Sequence, residues 1–180
     1  GLYLDVGRDI AESVAEEKSS AAVRRTEGLP VADLVECLRR SEFTAEDGEF
    51  IQSVEFFFVA TAAPDGQPDC SFKGGAPGFV RVVRPDLLVW PDYDGNGMFK
   101  SLGNISFNPF VGLLFIRMGE APKRLRVNGR AQVVVEDPLL GEFVGAQALV
   151  RVTPIDIFPN CPRYIPDLAH DKPSPYVPRA

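Results

Sequence analysis

The sequence predicts a mainly β fold, an antiparallel β-barrel with a few added helices, within a chain of 180 residues. Six or more short stretches rich in β-branched and aromatic residues follow one another, and most are joined by hairpin-type turns. The chain shows no internal repeat and no sustained alternation of strand and helix, which disfavours a doubly wound parallel sheet. A hydrophobic content of 45% and a charged content of 24% are ordinary for a folded, water-soluble domain.

The chain divides by composition into an arm, a barrel domain and a tail. Residues 1–43 are interpreted as an N-terminal arm, in which the stretch 31–40 carries apolar residues at helical spacing and predicts one short helix. Residues 44–165 are expected to form the barrel. Residues 166–180 are rich in proline and are expected to lie on a surface or on a partner.

Within the barrel domain, Thr44 and Asp47 resemble a capping box and begin a predicted helix. On the second predicted strand, Cys70 and Phe72 should point one way and Ser71 and Lys73 the other, away from the core. The predicted helices lie at about 45–53 and 98–108, with a helix or helical turn at 138–147, and the predicted strands lie at 56–61, 67–73, 79–84, 87–91, 111–116, 124–135 and 148–158.

Charge and cysteine content narrow the function classes. A net charge of −6 argues against a general nucleic-acid binder, so any anion site must be local. The three cysteines have unrelated spacings, which favours reduced thiols in the cytoplasm over a disulfide framework. The single histidine, His170, leaves little material for a Cys/His dyad or a zinc site. No apolar stretch approaches the roughly 20 residues of a membrane span, and the N-terminus lacks the pattern of a secretion signal.

One polar stripe of the helix predicted after Gly97 could hold an anion. A Gly-rich turn that leads into a helix start exposes backbone N–H groups, and the helix dipole favours negative charge there. The alternative is a solvated helix face, since charged stripes usually lie at the surface. The polar positions are Lys100, Ser101, Asn104 and Asn108, opposite Met98, Leu102 and Ile105.

The long strand at 124–135 concentrates basic residues on one face. Guanidinium groups suit phosphate, carboxylate or the polar edge of a heteroaromatic ring. A salt-bridge ladder at the surface or at a dimer interface is the alternative, and Lys73 adds another candidate cation. The residues of this face are Arg124, Arg126, Asn128, Arg130 and Gln132.

Several motifs in order resemble one family over about residues 45–165. They are Phe58-Val59-Ala60-Thr61 with Asp65-Gly66, Ser71-Phe72-Lys73-Gly74-Gly75, Pro77-Gly78-Phe79, Gly95-Asn96-Gly97 to Ser101 with Asn104, and Leu125-Arg126-Val127-Asn128-Gly129-Arg130-Ala131. Together they resemble the FMN-binding split-barrel family related to pyridoxamine 5′-phosphate oxidase.

The resemblance implies a six-stranded antiparallel split β-barrel, a homodimer with FMN at the subunit interface, and an FMN-dependent oxidoreductase whose flavin carries the hydride or electron chemistry. A small-molecule substrate and an electron donor such as NADH or NADPH would be the partners. Trp90 is a candidate for packing on the flavin ring, with a place in the core as the alternative. The implied cofactor-binding residues are Ser71, Phe72, Lys73, Trp90, Pro91, Lys100, Ser101, Asn104, Arg124 and Arg126.

The sequence also departs from the family's namesake enzyme. That enzyme has an arginine where Ser71 stands, an Arg-Lys pair where Lys100 and Ser101 stand, and an Arg-rich C-terminal substrate motif. Here the segment 158–165 instead resembles an ending found in an uncharacterised branch of the family. Arg163 and Tyr164 are expected to approach the flavin or the neighbouring subunit, and a tail that is simply pinned to the surface is the alternative. A non-catalytic flavin or haem binder, a deazaflavin-dependent reductase and a ligand-free barrel are the alternatives.

Overall fold

The computed structural model of the chain describes residues 39–118, 121–160 and 165. The chain divides into two compact units, residues 1–39 and 40–180, and every element below belongs to the second. The helix predicted within 31–40 and the tail at 166–180 lie outside the described residues, apart from Arg39 and Arg40. The predicted boundaries of arm, barrel and tail stay predictions.

The described residues form two α-helices, seven β-strands and one 3-10 turn at Leu140–Glu142. The helices are α1 (Ala45–Ser53) and α2 (Lys100–Phe107). The strands are β1 (Phe56–Ala62), β2 (Pro68–Gly74), β3 (Arg81–Arg84), β4 (Leu87–Tyr93), β5 (Phe110–Arg117), β6 (Lys123–Val134) and β7 (Ala146–Asn160).

All seven strands belong to one antiparallel sheet in the order β2-β1-β5-β6-β7-β4-β3. The split-barrel class is thereby confirmed, and each of the seven stretches with a strand pattern forms a strand. The count of six implied by the family resemblance is wrong for this chain. A short hairpin adds β3, a strand of four residues that pairs with β4 alone at one edge of the sheet.

The sheet curls round the main hydrophobic core, and a smaller cluster of Leu87, Val89, Phe143 and Leu149 lies apart from it. Phe57 of β1 packs edge-on against Trp90 of β4, with ring centroids 5.2 Å apart. These two strands are four places apart in the sheet, a distance of about 19 Å if the sheet were flat. Phe57 also stacks on Phe115 of β5 at 5.1 Å, and α1 contributes Ile51 to the same core.

The alternation predicted for the long strand is confirmed along most of β6. Leu125, Val127 and Ala131 are buried, whereas Val135 lies beyond the end of the strand and is exposed. Gly129 sits at a register shift against β7, where a Cβ atom would meet the carbonyl oxygen of Thr153 at 2.6 Å. That close approach leaves room only for glycine.

Two predicted elements differ from the structure. The helix predicted from Met98 begins instead at Lys100, because Gly97 and Phe99 have φ values of 68° and 47° that do not continue a right-handed helix. Of the helix or helical turn predicted at 138–147, only Leu140–Glu142 forms a 3-10 turn, and β7 already begins at Ala146. The apolar stretch 111–116 forms most of β5, which has one fully buried face and one half-buried face.

Hydrogen bonds at the start of α1 link Thr44, Asp47 and Arg40, and Arg40 connects this cap to β7. The backbone N–H of Asp47 donates to Thr44 Oγ1 at 3.2 Å, and the N–H of Thr44 donates to Asp47 Oδ2 at 2.9 Å, which confirms the predicted capping box. Arg40 donates to the same carboxylate at 2.5 Å, and its backbone pairs with that of Ile157 in β7.

The substitution Asp47→Asn should lower the free energy of unfolding by about 2 to 3 kcal/mol at neutral pH, because it removes a charge-assisted hydrogen bond and weakens the cap. Burial raises the pKa of Asp47, but the hydrogen bonds from Arg40 and Thr44 outweigh it and hold the pKa below the ordinary value of 3.8. The contribution is therefore present above pH 3.8 and is lost as the pH falls below it.

Denaturant unfolding of both proteins between neutral and acid pH measures this difference. Glu46→Gln is the matched control on the same helix, since Glu46 is largely exposed beside Lys123 and its loss should cost less than about 1 kcal/mol. Equal destabilisation by both variants, or a difference that does not shrink in acid, contradicts the assignment.

Candidate functional site

A polar cavity of about 340 Å³ lies between β2, the end of β4, the Gly-rich loop and the start of α2. β2 and β4 lie on opposite sides of the sheet order, and the Gly-rich loop leads from the end of β4 into α2. The cavity is lined by Asp69, Cys70, Ser71, Lys73, Asp92, Tyr93, Gly95, Asn96, Gly97, Met98, Phe99, Lys100, Ser101 and Leu102.

β2 supplies one wall of the cavity. Asp69, Ser71 and Lys73 are half-buried and line it, whereas the alternate residues Cys70 and Phe72 are exposed. The predicted alternation is correct, but the polar side of the strand is the better covered one. Phe72 is 60% exposed, stacks on Phe56 at 5.5 Å and does not line the cavity.

The opposite wall begins where the Gly-rich loop becomes α2. Asn96 Oδ1 accepts a hydrogen bond from the N–H of Met98 at 3.1 Å, and the helix starts after the left-handed turn at Phe99. Ser101 is only 6% exposed, lines the cavity and has no side-chain hydrogen bond within the described residues. A hydroxyl that lines a cavity without a protein partner is an available donor for a ligand.

The polar stripe predicted on this helix is partly internal. Asn104 is buried with Ser101, and its Nδ2 donates to Thr61 Oγ1 of β1 at 2.9 Å. A solvated stripe is therefore wrong for these two positions. Met98, which was predicted to lie on the helix face opposite the polar stripe, is 69% exposed in the loop and lines the cavity.

The cavity contains two lysines and two aspartates. Lys100 Nζ lies 3.0 Å from Asp69 Oδ1, so this lysine is already paired. Burial raises the pKa of Asp92, and the nearby charge of Lys73 partly opposes that rise. Burial also raises the pKa of Tyr93, with the charge of Arg81 acting in the opposite direction.

The predicted site residues fall into two groups. The first group lines the cavity and consists of Ser71, Lys73, Lys100 and Ser101. Asn104 does not line the cavity but anchors α2 to β1 through its hydrogen bond to Thr61. The others line neither this cavity nor the second concavity described below. They are Phe72 on the outside of β2, Trp90 in the core, Pro91 in the β4–β7 ladder, and Arg124 and Arg126 on β6.

Trp90 occupies the core, in agreement with the alternative interpretation of this residue. It is 1% exposed, and its Nε1 is buried without a hydrogen-bond partner within the described residues. Arg126 is exposed on the outward face of β6, whose inward face carries Leu125 and Val127. The predicted basic face of β6 is thus a surface of the described unit.

The cavity residues that sequence reasoning missed include Asp69, Asp92, Tyr93, Met98 and Phe99. For Asp69 the signal was available, because it continues the alternation of Ser71 and Lys73 by two residues. Asp92 and Tyr93 would have followed from extending β4 past Pro91. The left-handed conformation of Phe99 left no sequence signal, since non-glycine residues rarely adopt it.

A second concavity of about 450 Å³ lies on the sheet where the end of β1 and the start of β5 lie beside interior residues of β6 and β7. Small residues form much of its floor, and Phe110 and Ile155 are exposed at its rim. It holds neither lysine nor arginine. Its lining residues are Ala60, Thr61, Ala62, Asn108, Phe110, Val111, Gly112, Asn128, Gly129, Ile155 and Asp156.

A curled antiparallel sheet with a polar cavity at a helix start defines a split-barrel protein. The family model described as pyridoxamine 5'-phosphate oxidase matches residues 43–161. The chain belongs to this family.

Solved structures share the fold at low sequence identity. HupZ of Group A Streptococcus aligns with a TM-score of 0.52 at 16% identity, over 71% of this chain and 100% of that chain. An FMN-binding protein of Syntrophomonas wolfei subsp. wolfei aligns with a TM-score of 0.51 at 9% identity, over 76% of this chain and 94% of that chain. A comparison with curated proteins finds no match.

Among the residues that the structure describes, no helix combines the length and the apolar character needed to cross a membrane. The same residues contain no group of three or more histidine, cysteine, aspartate or glutamate side chains arranged to hold a metal ion.

The hydrogen bond between Asn104 and Thr61 should anchor α2 to the sheet. Asn104→Ala is expected to lower the free energy of unfolding by about 1 to 3 kcal/mol, because the buried Thr61 hydroxyl loses its partner. Denaturant unfolding measures the change.

A double-mutant cycle with Thr61→Val tests the pairing directly. The double variant should be destabilised by less than the sum of the two single variants, since the second change removes the orphaned hydroxyl. Strict additivity would show that the two side chains do not depend on each other.

Proposed function

We propose that this protein binds FMN through the cavity between β2, β4 and α2 and acts as an FMN-dependent oxidoreductase on a small molecule. The observation that carries the proposal is the grouping of two lysines and two serines, one of each from β2 and from the start of α2, in a member of this family. The fold shared with an FMN-binding protein is consistent with it.

The residues of the cavity fit the phosphate end of FMN. Lys73 and Lys100 supply positive charge, and the hydroxyls of Ser71 and Ser101 supply donors with no side-chain partner inside the described residues. The first residues of α2 also line the cavity, and the first N–H groups of a helix lack partners within it and favour an anion. When bound, the flavin supplies the hydride or electron transfer, and the protein supplies position and charge.

The basic face of β6 lies away from the cavity, which affects how many subunits the proposed site would need. Arg126 lies on the outward surface and Arg124 is next along the same face, whereas the cavity is lined by β2, β4 and α2. The two arginines would reach a flavin ring only if this surface takes part in the site of a second subunit. A homodimer is therefore part of the proposal, and the arginines would stabilise negative charge on the reduced ring.

The namesake reaction of the family is not part of the proposal. Ser71 stands where that enzyme carries an arginine, and Lys100 and Ser101 stand where it carries an Arg-Lys pair. These changes remove guanidinium groups but keep a cation and hydroxyl donors in the cavity. The substrate is a different small molecule, with NADH or NADPH as the proposed electron donor. A cytoplasmic location stays a prediction.

Titration of the purified protein with FMN, followed by flavin fluorescence, tests the binding. The double variant Lys100→Ala/Ser101→Ala is expected to bind FMN about tenfold or more weakly, because a charge-assisted hydrogen bond contributes roughly 1.5 to 3 kcal/mol. Arg84→Ala removes the same charge at an exposed position paired with Asp86 and should leave the affinity unchanged. A protein that takes up no FMN overturns the proposal.

Enzymatic activity needs a separate experiment. The FMN-loaded protein should be reduced by NADH or NADPH and reoxidised by a small-molecule acceptor, which absorbance of the flavin records. If FMN binds tightly but neither donor reduces it and no acceptor takes electrons from it, the protein is a non-catalytic flavin binder. Competition with a deazaflavin and with haem, measured by displacement of FMN, separates the remaining alternatives.

A further inference from the structure

Asp92 is a largely buried aspartate in the wall of the proposed phosphate cavity. It is the penultimate residue of β4, is 8% exposed and lines the cavity. Its side chain makes no hydrogen bond and no ion pair within the described residues. A carboxylate in that situation lacks the partners that normally stabilise a buried charge.

The groups round Asp92 come from three elements. β2 presents Lys73, Asp69 and Cys70, and α2 presents Lys100, which is held by Asp69 at 3.0 Å. On the strand of Asp92 itself, Tyr93 lines the cavity and Asp94 follows in the exposed loop. The cross-strand neighbour on β7 is the apolar Ala148.

Two carboxylates therefore face two ammonium groups, and the side-chain charges of the cavity balance before any ligand enters. Phosphate monoesters carry close to two negative charges above about pH 7, since their second pKa is near 6. A phosphate beside an ionised Asp92 would place like charges together in a poorly solvated space, which is unfavourable.

We propose that Asp92 makes binding of a phosphate-bearing ligand proton-coupled. One proton is taken up with the dianionic phosphate and lies between the Asp92 carboxyl and a phosphate oxygen, where the protonated carboxyl donates a hydrogen bond. Asp92 would then distinguish a phosphate monoester, which gains from the proton, from a neutral polyol. This inference rests on the proposed function, because FMN supplies the phosphate.

Burial of Asp92 raises its pKa, which is the direction that proton uptake with the ligand requires. It raises the pKa of Asp92 against the opposing charge of Lys73, so part of the work of protonating the carboxyl is done before the ligand arrives. An anion beside the carboxyl raises the pKa further. The affinity for a phosphate should therefore increase as the pH falls.

The variant Asp92→Asn replaces the carboxyl by an amide of the same shape that donates a hydrogen bond without taking up a proton. For the native protein, FMN affinity should fall close to tenfold per pH unit from about pH 7 to about pH 8.5, where the free phosphate is already a dianion. For Asp92→Asn the affinity should change little over that range and exceed the native value by about tenfold or more at its upper end.

Two controls accompany the titrations. Riboflavin lacks the phosphate, so its affinity should be independent of pH for both proteins, and its retained binding also shows that Asp92→Asn is folded. Asp69→Asn removes the other carboxylate of the cavity. It should strengthen FMN binding by freeing Lys100 but keep the native dependence on pH, because Asp92 is still present.

The outcomes separate the two proposals. FMN binding with the same dependence on pH in the native protein and in Asp92→Asn overturns the role of Asp92 and leaves the proposed function standing. Failure of all three proteins to bind FMN at any pH overturns both. A dependence on pH that disappears in Asp92→Asn and persists in Asp69→Asn supports the inference.

Discussion

The contact between Phe57 and Trp90 is the constraint on which the rest of the structure depends. It joins two strands that are four places apart in the sheet, so the sheet must curl until its inner face closes on itself. The β6–β7 ladder is the longest in the sheet and lies between the two sides that curl together. Gly129 allows β7 to pass close to β6 at the register shift within that ladder.

The cavity is a consequence of the same curl. β2 and β4 share no ladder within the described residues, yet Lys73 of β2 is close enough to Asp92 of β4 to affect its pKa. The third wall comes from α2, which Asn104 ties to β1 next to β2. Site and core are thus coupled: the aromatic packing that closes the sheet also sets the spacing of the charged groups.

The sequence predicted the local structure better than the orientation of side chains. Hairpin turns and β-branched runs were enough to find all seven strands, and Thr44 and Asp47 were enough to begin α1, because these signals lie within a few residues of one another. Alternation on β2 separated Ser71 and Lys73 from Phe72, but a period of two cannot say which face is covered. Asp92 and Trp90 depend on contacts between distant strands, which no local pattern contains.

The position of β2 at an edge of the sheet has a consequence for motion. Within the described residues this strand is paired with β1 alone, so fewer backbone hydrogen bonds hold it than hold a central strand such as β6. Edge segments of this kind open at lower free energy than the core, and they do so without global unfolding. The wall that carries Ser71 and Lys73 is then the part of the pocket best able to admit a ligand, and its amide protons should exchange with solvent more slowly once a ligand ties it to α2.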